Sequence, residues 1–358
     1  MRLLCIANPD RYGNTKTDVP LSYAYLAKHP EIELFHVDTR ELLRRPGCII
    51  NAVPIDASFN PNEFARLPNC KTVPISPDNI DLTFCRTLKP FPVHYIDCLI
   101  GWSNLLRFVN SPAGLRKQLD HRFLLKHCGE YLPASINTIN RIDAENFFLQ
   151  HGTIVIKQAN SCGGRGVFRV RLKSDNAVEC DNAIQGQMLF HTFSDVFAWL
   201  TAGDKLAVTL SKYLPRVIEG DKRIVVIGGD IYGAYLRKSH EGHWVQNVSL
   251  GSHCRLSVVT AQERKIIAAT QAHYRKQGLF VLGYDFLRDD KGRATLSEIN
   301  AGNVGGLARL EQLGKSGTIN RFVNWLRSHD KVSGINDLLQ SCTPPQSIVN
   351  DKSLALST

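Results

Sequence analysis

"LGYDFLRDDKGRATLSEINAGNVGG", residues 282–306, reads as two strands joined by a turn. The first apolar run ends in Asp285-Phe286-Leu287, and Asp289, Asp290, Lys291 and Gly292 supply turn chemistry. The chain returns through Ala294, Leu296 and Ile299. Asp285, Glu298 and Asn300 interrupt these runs where a strand favours Val or Ile. Glu298 and Asn300 are two apart and share one strand face, and Asp285 comes from the adjacent strand. Three oxygen-bearing side chains on one sheet face form a donor set for a hard cation, and Mg²⁺ is the natural choice beside phosphates. Glu298 is placed to bridge two ions. A solvated strand face would carry the same residues, but Leu296 and Ile299 argue against full exposure.

Upstream, Ser161-Cys162-Gly163-Gly164-Arg165-Gly166 separates two β-rich runs, "TIVIK" and "VFRVRL". Glycines permit positive φ and close backbone approach, so successive N–H groups can wrap phosphate oxygens. A plain glycine-rich hairpin turn is the competing reading. It is not a Walker A loop, and a strand rather than a helix follows, which excludes a Rossmann fingerprint. "LGKS" at 313–316 ends like Walker A, but Arg309 occupies the required first glycine position. Lys157, closing "TIVIK", is a cation suited to a nucleotide phosphate; alone it would equally suit a snorkelling edge-strand lysine. Arg223 and Arg237 fall on the two runs of "GDKRIVVIGGDIYGAYLRK", with Asn247 beyond. Two arginines on one cleft bind a carboxylate and a transferring phosphoryl group; surface ion pairing is the bland alternative. His240, His243, His253 and Cys254 lie close together without zinc-ligand spacing, so no zinc site is expected.

At 358 residues, two or three packed lobes are expected. A 43% hydrophobic and 21% charged composition fits a soluble globular protein. The opening "MRLLCIANPDRYG" is too briefly apolar for a signal peptide and reads as a first strand. No run approaches the roughly 18 apolar residues of a membrane span, and a cytoplasmic, membrane-free protein is expected. Ten cysteines are scattered without a C-x-x-C pair, as for reduced packing residues. The formal charge of +10 favours anionic nucleotide or carboxylate partners. Its spread along the chain, without an aromatic-rich signature, argues against nucleic acid.

Residues 1–115 alternate strand-like "RLLCIAN", "IELFHVD" and "NIDLTFCR" with helical "LSYAYLAKH" and "HYIDCLIGWSNLL". This predicts an α/β layer with a mostly parallel sheet. Asn8 and Arg86 sit at carboxyl ends of strands, where ligands of such sheets gather. From residue 116 the texture changes. "LRKQLDHRFLLKHCG" has helical spacing, "AENFFLQHG" is a helix closed by Gly152, and "DVFAWLTAG" is another. "LAVTLSKYL" is a strand and connector, Gly228-Gly229-Asp230 turns a hairpin, and "AQERKIIAATQAHYRKQG" is a long amphipathic helix. "NRFVNWLRSH" is the final helix, and residues 331–358 read as a polar tail.

The order of these parts (strand lysine, glycine loop, "GDKR" hairpin, D…E-x-N) resembles the ATP-grasp superfamily, and within it the bacterial glutathione synthetases. The resemblance spans about residues 80–312 and includes "CRTLKPFP", "FVNSPAGLR", "ENFFLQHGTIVIKQANSCGGRGVFRV", "GDKRIVVIGG", "QNVSLG" and "LGYDF…SEIN". It implies an α/β protein with α+β grasp lobes: an N-terminal Rossmann-like pre-ATP-grasp domain (1–115) followed by a two-lobed ATP-grasp fold. The lobes would be a central one with the glycine-rich loop (116–205) and a C-terminal one with the metal site (206–330), with a polar tail (331–358). It implies a ligase that uses ATP and Mg²⁺, or Mn²⁺, to join a carboxylate-bearing small molecule or peptide to an amine through an acyl phosphate.

By position, Asp285, Glu298 and Asn300 match the family's metal ligands, and Lys157 its nucleotide lysine. Ser161, Gly163, Gly164 and Gly166 would close over the phosphates, and Ser211, Lys212, Tyr213 and Leu214 match the hinge that pairs with adenine. Arg223 would stabilise the transferring group, Arg86 and Arg237 would hold substrate carboxylates, and Asn247 would line the substrate site. Related ligases are often dimers or tetramers, so a homo-oligomer fits. The sequence departs from the family at Asp120-His121, followed by Arg122, where Glu-Lys is usual; His121 or Arg122 would then serve the phosphates. It departs again at Gln158, at Gly251-Ser252, and at "AGNVGGLARLE" after Asn300, which puts glutathione itself in doubt. A ribosomal-peptide-modifying or protein glutamate ligase is the alternative within the class. Outside it stand a nucleotide-binding module without ligase activity and a phosphotransferase that stops at the phosphorylated product.

Overall fold

The computed structural model describes residues 1–12, 17–44, 46–173, 176–239, 244 and 253–341, with side chains to 329. Three sheets organise the described residues. The first is formed by β1 (Arg2–Ala7), β2 (Glu33–Asp38), β3 (Ile50–Ile55), β4 (Val73–Ile75) and β5 (Leu82–Cys85), in the order β4-β3-β2-β1-β5. Helices α1 (Asp18–Ala27), α2 (Thr39–Leu42) and α3 (Tyr95–Trp102) accompany it. The sheet is mixed rather than mostly parallel: β1 runs parallel to β2 and β5, but β3 is antiparallel to both β2 and β4. Between β2 and β3 the reason is a short connection. A parallel return needs a dozen or more residues crossing the sheet, and the single-turn α2 only reverses the chain.

Two short helices follow, α4 (Pro112–Leu119) and α5 (His121–Cys128). Continuous helical spacing is broken at Asp120, whose backbone is extended and whose side-chain carboxylate caps α5 by accepting from the Arg122 amide at 3.0 Å. The second sheet is wholly antiparallel. It comprises β6 (Ser135–Thr138), β7 (Thr153–Gln158), β8 (Val167–Leu172), β9 (Val178–Asn182), β10 (Gly186–Phe190) and β11 (Val208–Lys212), ordered β10-β9-β8-β7-β11-β6. Helices α6 (Arg141–His151) and α7 (Phe193–Leu200) cover one face, where Phe148 and Phe193 stack at 4.5 Å. Ile154 and Ile156 are buried beneath them. The period of two therefore turns Val155 and Lys157 to the opposite face.

The third sheet is also antiparallel, with β12 (Asp221–Ile227), β13 (Asp230–Lys238), β14 (His253–Ser257), β15 (Val281–Arg288) and β16 (Ala294–Asn300) ordered β14-β13-β12-β15-β16. Helix α8 (Ala261–Arg275) packs Ile266, Ile267 and Tyr274 against Tyr284, Phe286, Leu296 and Ile299. Helices α9 (Leu307–Gln312) and α10 (Thr318–Ser341) return to the first sheet. Their Leu307, Leu310, Phe322 and Leu326 share a core with Leu3, Leu34 and Phe84 of that sheet. The backbone of α10 continues to Ser341, into the stretch expected to be a polar tail.

Candidate active site

A cleft lies between the uncovered face of the second sheet and the opposing face of the third. Its inner end is apolar, lined by Val155, Val167, Tyr213, Leu214, Trp244 and Leu287. Its outer end is polar and glycine-rich, lined by Ser161, Gly163, Gly164, Gly166, Arg223, Glu298 and Asn300. Lys89, His121 and Lys157 line both ends. Lys157 reaches across and donates from Nζ to the Ser297 carbonyl (3.2 Å) and Oγ (3.4 Å), bringing the two sheets together at this point.

The opening hairpin forms as read, with one local feature added. Asp285 pairs with Glu298 and Phe286 with Leu296, so Ser297 is the extra residue of a β-bulge. The bulge lets Leu296 and Ile299 both enter the core while Glu298 and Asn300 face the cleft. Asp285 sits deeper. It accepts Arg223 Nε at 2.5 Å and Nη2 at 2.8 Å, Arg237 Nη2 at 2.9 Å, and Asn300 Nδ2 at 3.1 Å. Burial alone would raise its carboxyl, but the two guanidinium groups outweigh burial and hold it below the ordinary range. Arg237 also clasps Asp221 at 2.5 and 2.6 Å. Burial opposes the charge of Arg237, yet Asp221 and Asp285 raise its pKa well above normal.

These oxygens fit a hard dication. Glu298 carries no ion pair or hydrogen bond among the described residues, and Asn300 spends its NH₂ on Asp285, which leaves its carbonyl oxygen for the cleft. Asp285 has its acceptor positions filled by arginine and amide donors, so it stands behind the other two. No group of three His, Cys, Asp or Glu is gathered among the described residues; the donor set depends on an asparagine.

The glycine loop is pre-shaped. Gly163 and Gly164 have φ of 65° and 84°, a region costly for other residues. A Cβ on Gly166 would lie 2.5 Å from the Ser161 Cβ, so only glycine closes the loop there. Buried Asn182, which no local sequence pattern singles out, donates Nδ2 toward the Gly164, Arg165 and Val167 carbonyls at 3.0, 3.1 and 2.9 Å. With those carbonyls turned back, the Gly163 and Gly164 amides have no protein acceptor among the described residues. At the other end, the Lys212 and Tyr213 amides bond to Ala134 and Thr153 carbonyls, at 2.8 and 3.2 Å. The Leu214 amide of that hinge has no such partner among the described residues. Ser211 accepts from Ser135 Oγ at 2.8 Å.

His121 lies in the cleft with Nδ1 2.7 Å from Thr209 Oγ1. Burial pushes its pKa down, Lys157 and Lys89 reinforce this, and Glu298 opposes it. Arg86 is placed differently from the expected carboxylate binder. It is 1% exposed and lies beneath the cleft, with Nη1 donating to the Val304 carbonyl (2.6 Å) and Nη2 to Asp18 (3.3 Å). Asn247, His240 and His243 lie outside the described residues. Trp244 could not be anticipated: its indole donates to Asp181 at 2.6 Å and, beside Tyr213, walls the apolar end.

Two antiparallel sheets gripping a cleft with a glycine loop, a strand lysine and an acid–amide hairpin define an ATP-grasp protein. The model of the prokaryotic glutathione synthetase ATP-grasp domain matches residues 121–315, and the chain belongs to that family. It is 25% identical to the glutathione synthetase of Prochlorococcus marinus subsp. pastoris over 221 residues, 62% of this chain and 65% of that protein. It is 22% identical to that of Neisseria meningitidis serogroup B over 310 residues, 84% and 90% of the two. The match thus spans just under two thirds of the first relative and most of the second. Among solved structures, D-cycloserine synthetase DcsG is similar at a TM-score of 0.60 and 12% identity, covering 91% of this chain and all of that one. The D-alanyl-alanine synthetase A of Vibrio cholerae is similar at 0.58 and 12%, covering 93% and 99%. At those identities the likeness is one of fold.

Proposed function

We propose that this chain is an ATP-dependent, ADP-forming carboxylate–amine ligase whose substrates are an amino acid, a small peptide or a peptide tail. The observation that carries the reading is Glu298: a half-buried carboxylate without a partner among the described residues, beside Lys157 and Asn300, where the apolar end of the cleft meets the glycine loop. The apolar end suits a purine, with the Leu214 amide and the Lys212 carbonyl available at the hinge. Free amides at Gly163 and Gly164 suit phosphate oxygens.

A substrate carboxylate oxygen attacks the γ-phosphorus, the bond to the β–γ bridging oxygen breaks, and ADP leaves. An amine then attacks the acyl carbon, phosphate departs with the acyl oxygen, and the nitrogen loses a proton. Lys157 and Arg223 offset developing charge, and the glycine loop excludes water from the acyl phosphate. Glu298 and Asn300, backed by Asp285, would hold Mg²⁺, with Mn²⁺ the alternative; bound there, it would neutralise triphosphate charge. The reading places the enzyme in the cytoplasm.

The test is ADP release from ATP and MgCl₂ with pooled amino acids and dipeptides, read with mass spectrometry of products. An amide product supports the reading. ATP binding without substrate-dependent ADP would make the chain a nucleotide-binding module, and a stable phosphorylated product would make it a phosphotransferase.

A further inference from the structure

The stretch expected to supply a phosphate-binding cation offers none. Arg122 turns back on Asp120, with Nε 2.9 Å from both carboxylate oxygens and Nη2 2.6 Å from Oδ2, and it stands largely in solvent. His121 lines the cleft, but its Nδ1 is engaged by Thr209 Oγ1 at 2.7 Å, and its short ring lacks the reach of a lysine. From the protein side a triphosphate would then meet Lys157, with Arg223 lining the same end but already held by Asp285 and the Gly305 carbonyl.

A second lysine enters from a different domain. Lys89 lies on the segment after β5, is half-buried, and lines both ends of the cleft beside His121 and the glycine loop. Among the described residues its ammonium meets no carboxylate and no hydrogen-bond acceptor, an unfavourable situation for a partly buried cation unless an anion joins it. Its backbone is fixed to the loop: the Lys89 carbonyl accepts Cys162 Sγ at 2.9 Å. Two residues on, the Phe91 amide donates to Asn160 Oδ1 at 2.9 Å, and Asn160 Nδ2 returns to the Phe91 carbonyl at 3.3 Å.

We propose that Lys89 binds the β- and γ-phosphates of the nucleotide, supplying from the N-terminal domain the cation absent at position 121. This rests on the nucleotide-binding reading of the cleft. Lysine suits the task as a mobile point charge, and its tie to the loop sets both over the same phosphates.

The test is calorimetric titration of the full chain with ATP, ADP and AMP in MgCl₂, for wild type, Lys89→Met, Lys89→Arg and Arg122→Met. Lys89→Met is expected to weaken ATP and ADP roughly ten- to a hundred-fold, the range for a charge-assisted hydrogen bond. AMP affinity stays unchanged, Lys89→Arg recovers most of the loss, and Arg122→Met changes nothing. Wild-type ATP affinity in Lys89→Met, or an equal loss for AMP, would overturn the proposal while leaving the ligase reading standing. A wild-type chain that binds no nucleotide would overturn both.

Discussion

Asp285 and Glu298 face each other across one hairpin yet occupy opposite electrostatic situations. Asp285 is enclosed by Arg223, Arg237 and Asn300, whereas Glu298 has no such partner among the described residues. Substituting each by its amide should therefore separate stability from activity. Asp285→Asn strips a buried charge from two buried arginines and should cost about 3–5 kcal/mol, measurable by urea denaturation. Glu298→Gln keeps volume and breaks no ion pair, so its melting temperature should stay near wild type while substrate-dependent ADP release is lost. Near-normal turnover of Glu298→Gln at saturating Mg²⁺ would refute the role given to it. Both carboxylates were legible in sequence as polar interruptions of apolar runs. The arginine clasp around Asp285 was not, because Arg223 and Arg237 come from other strands and only pairing brings them together.

The glycine loop is an element whose shape depends on a residue outside it. Asn182 caps three of the loop-region carbonyls from the end of β9, and no local pattern marks an asparagine for that task. Asn182→Ala should leave buried acceptors unsatisfied, at about 1–3 kcal/mol, and let the loop open. A raised KM for ATP and faster protease cleavage near residues 161–166 are the expected outcomes; an unchanged KM would count against the loop's role. Helix breaking at Asp120 and the bulge at Ser297 were likewise hidden, since both are small offsets within otherwise regular periods. In the first sheet, β2 carries His36, 3.1 Å from the Tyr23 hydroxyl and with Nε2 unpartnered. Burial lowers its pKa from 6.5 to about 4, with Asp38 opposing. A depressed pKa means that the unfolded chain binds the proton more tightly. Stability is therefore full above pH 6.5 and is lost as pH falls toward 4, by about 3 kcal/mol. His36→Gln should flatten the stability–pH profile across that window, and an identical slope in both proteins would contradict the assignment.

At the scale of the whole molecule, the first and third sheets share one core with α9 and α10, and Arg86 fastens the junction through Val304 and Asp18. Arg86→Met should lower global stability by about 3 kcal/mol or more, because it leaves Asp18 partly buried without its cation. Substrate KM should change little; a selective rise in KM at unchanged stability would restore the carboxylate-binding role expected from the sequence. The order of strand lysine, glycine loop, arginine hairpin and acid–amide hairpin survives in sequence because each part is a short local pattern. The mixed first sheet and the depth of Arg86 depend on how connections fold back, which local patterns do not encode. The most direct test of the account is ADP release by the full chain given ATP, MgCl₂ and pooled carboxylate and amine substrates, with Glu298→Gln beside it. The account predicts release that requires substrate, yields an amide product, and disappears in the variant. Nucleotide binding without substrate-dependent release across the pool would contradict it.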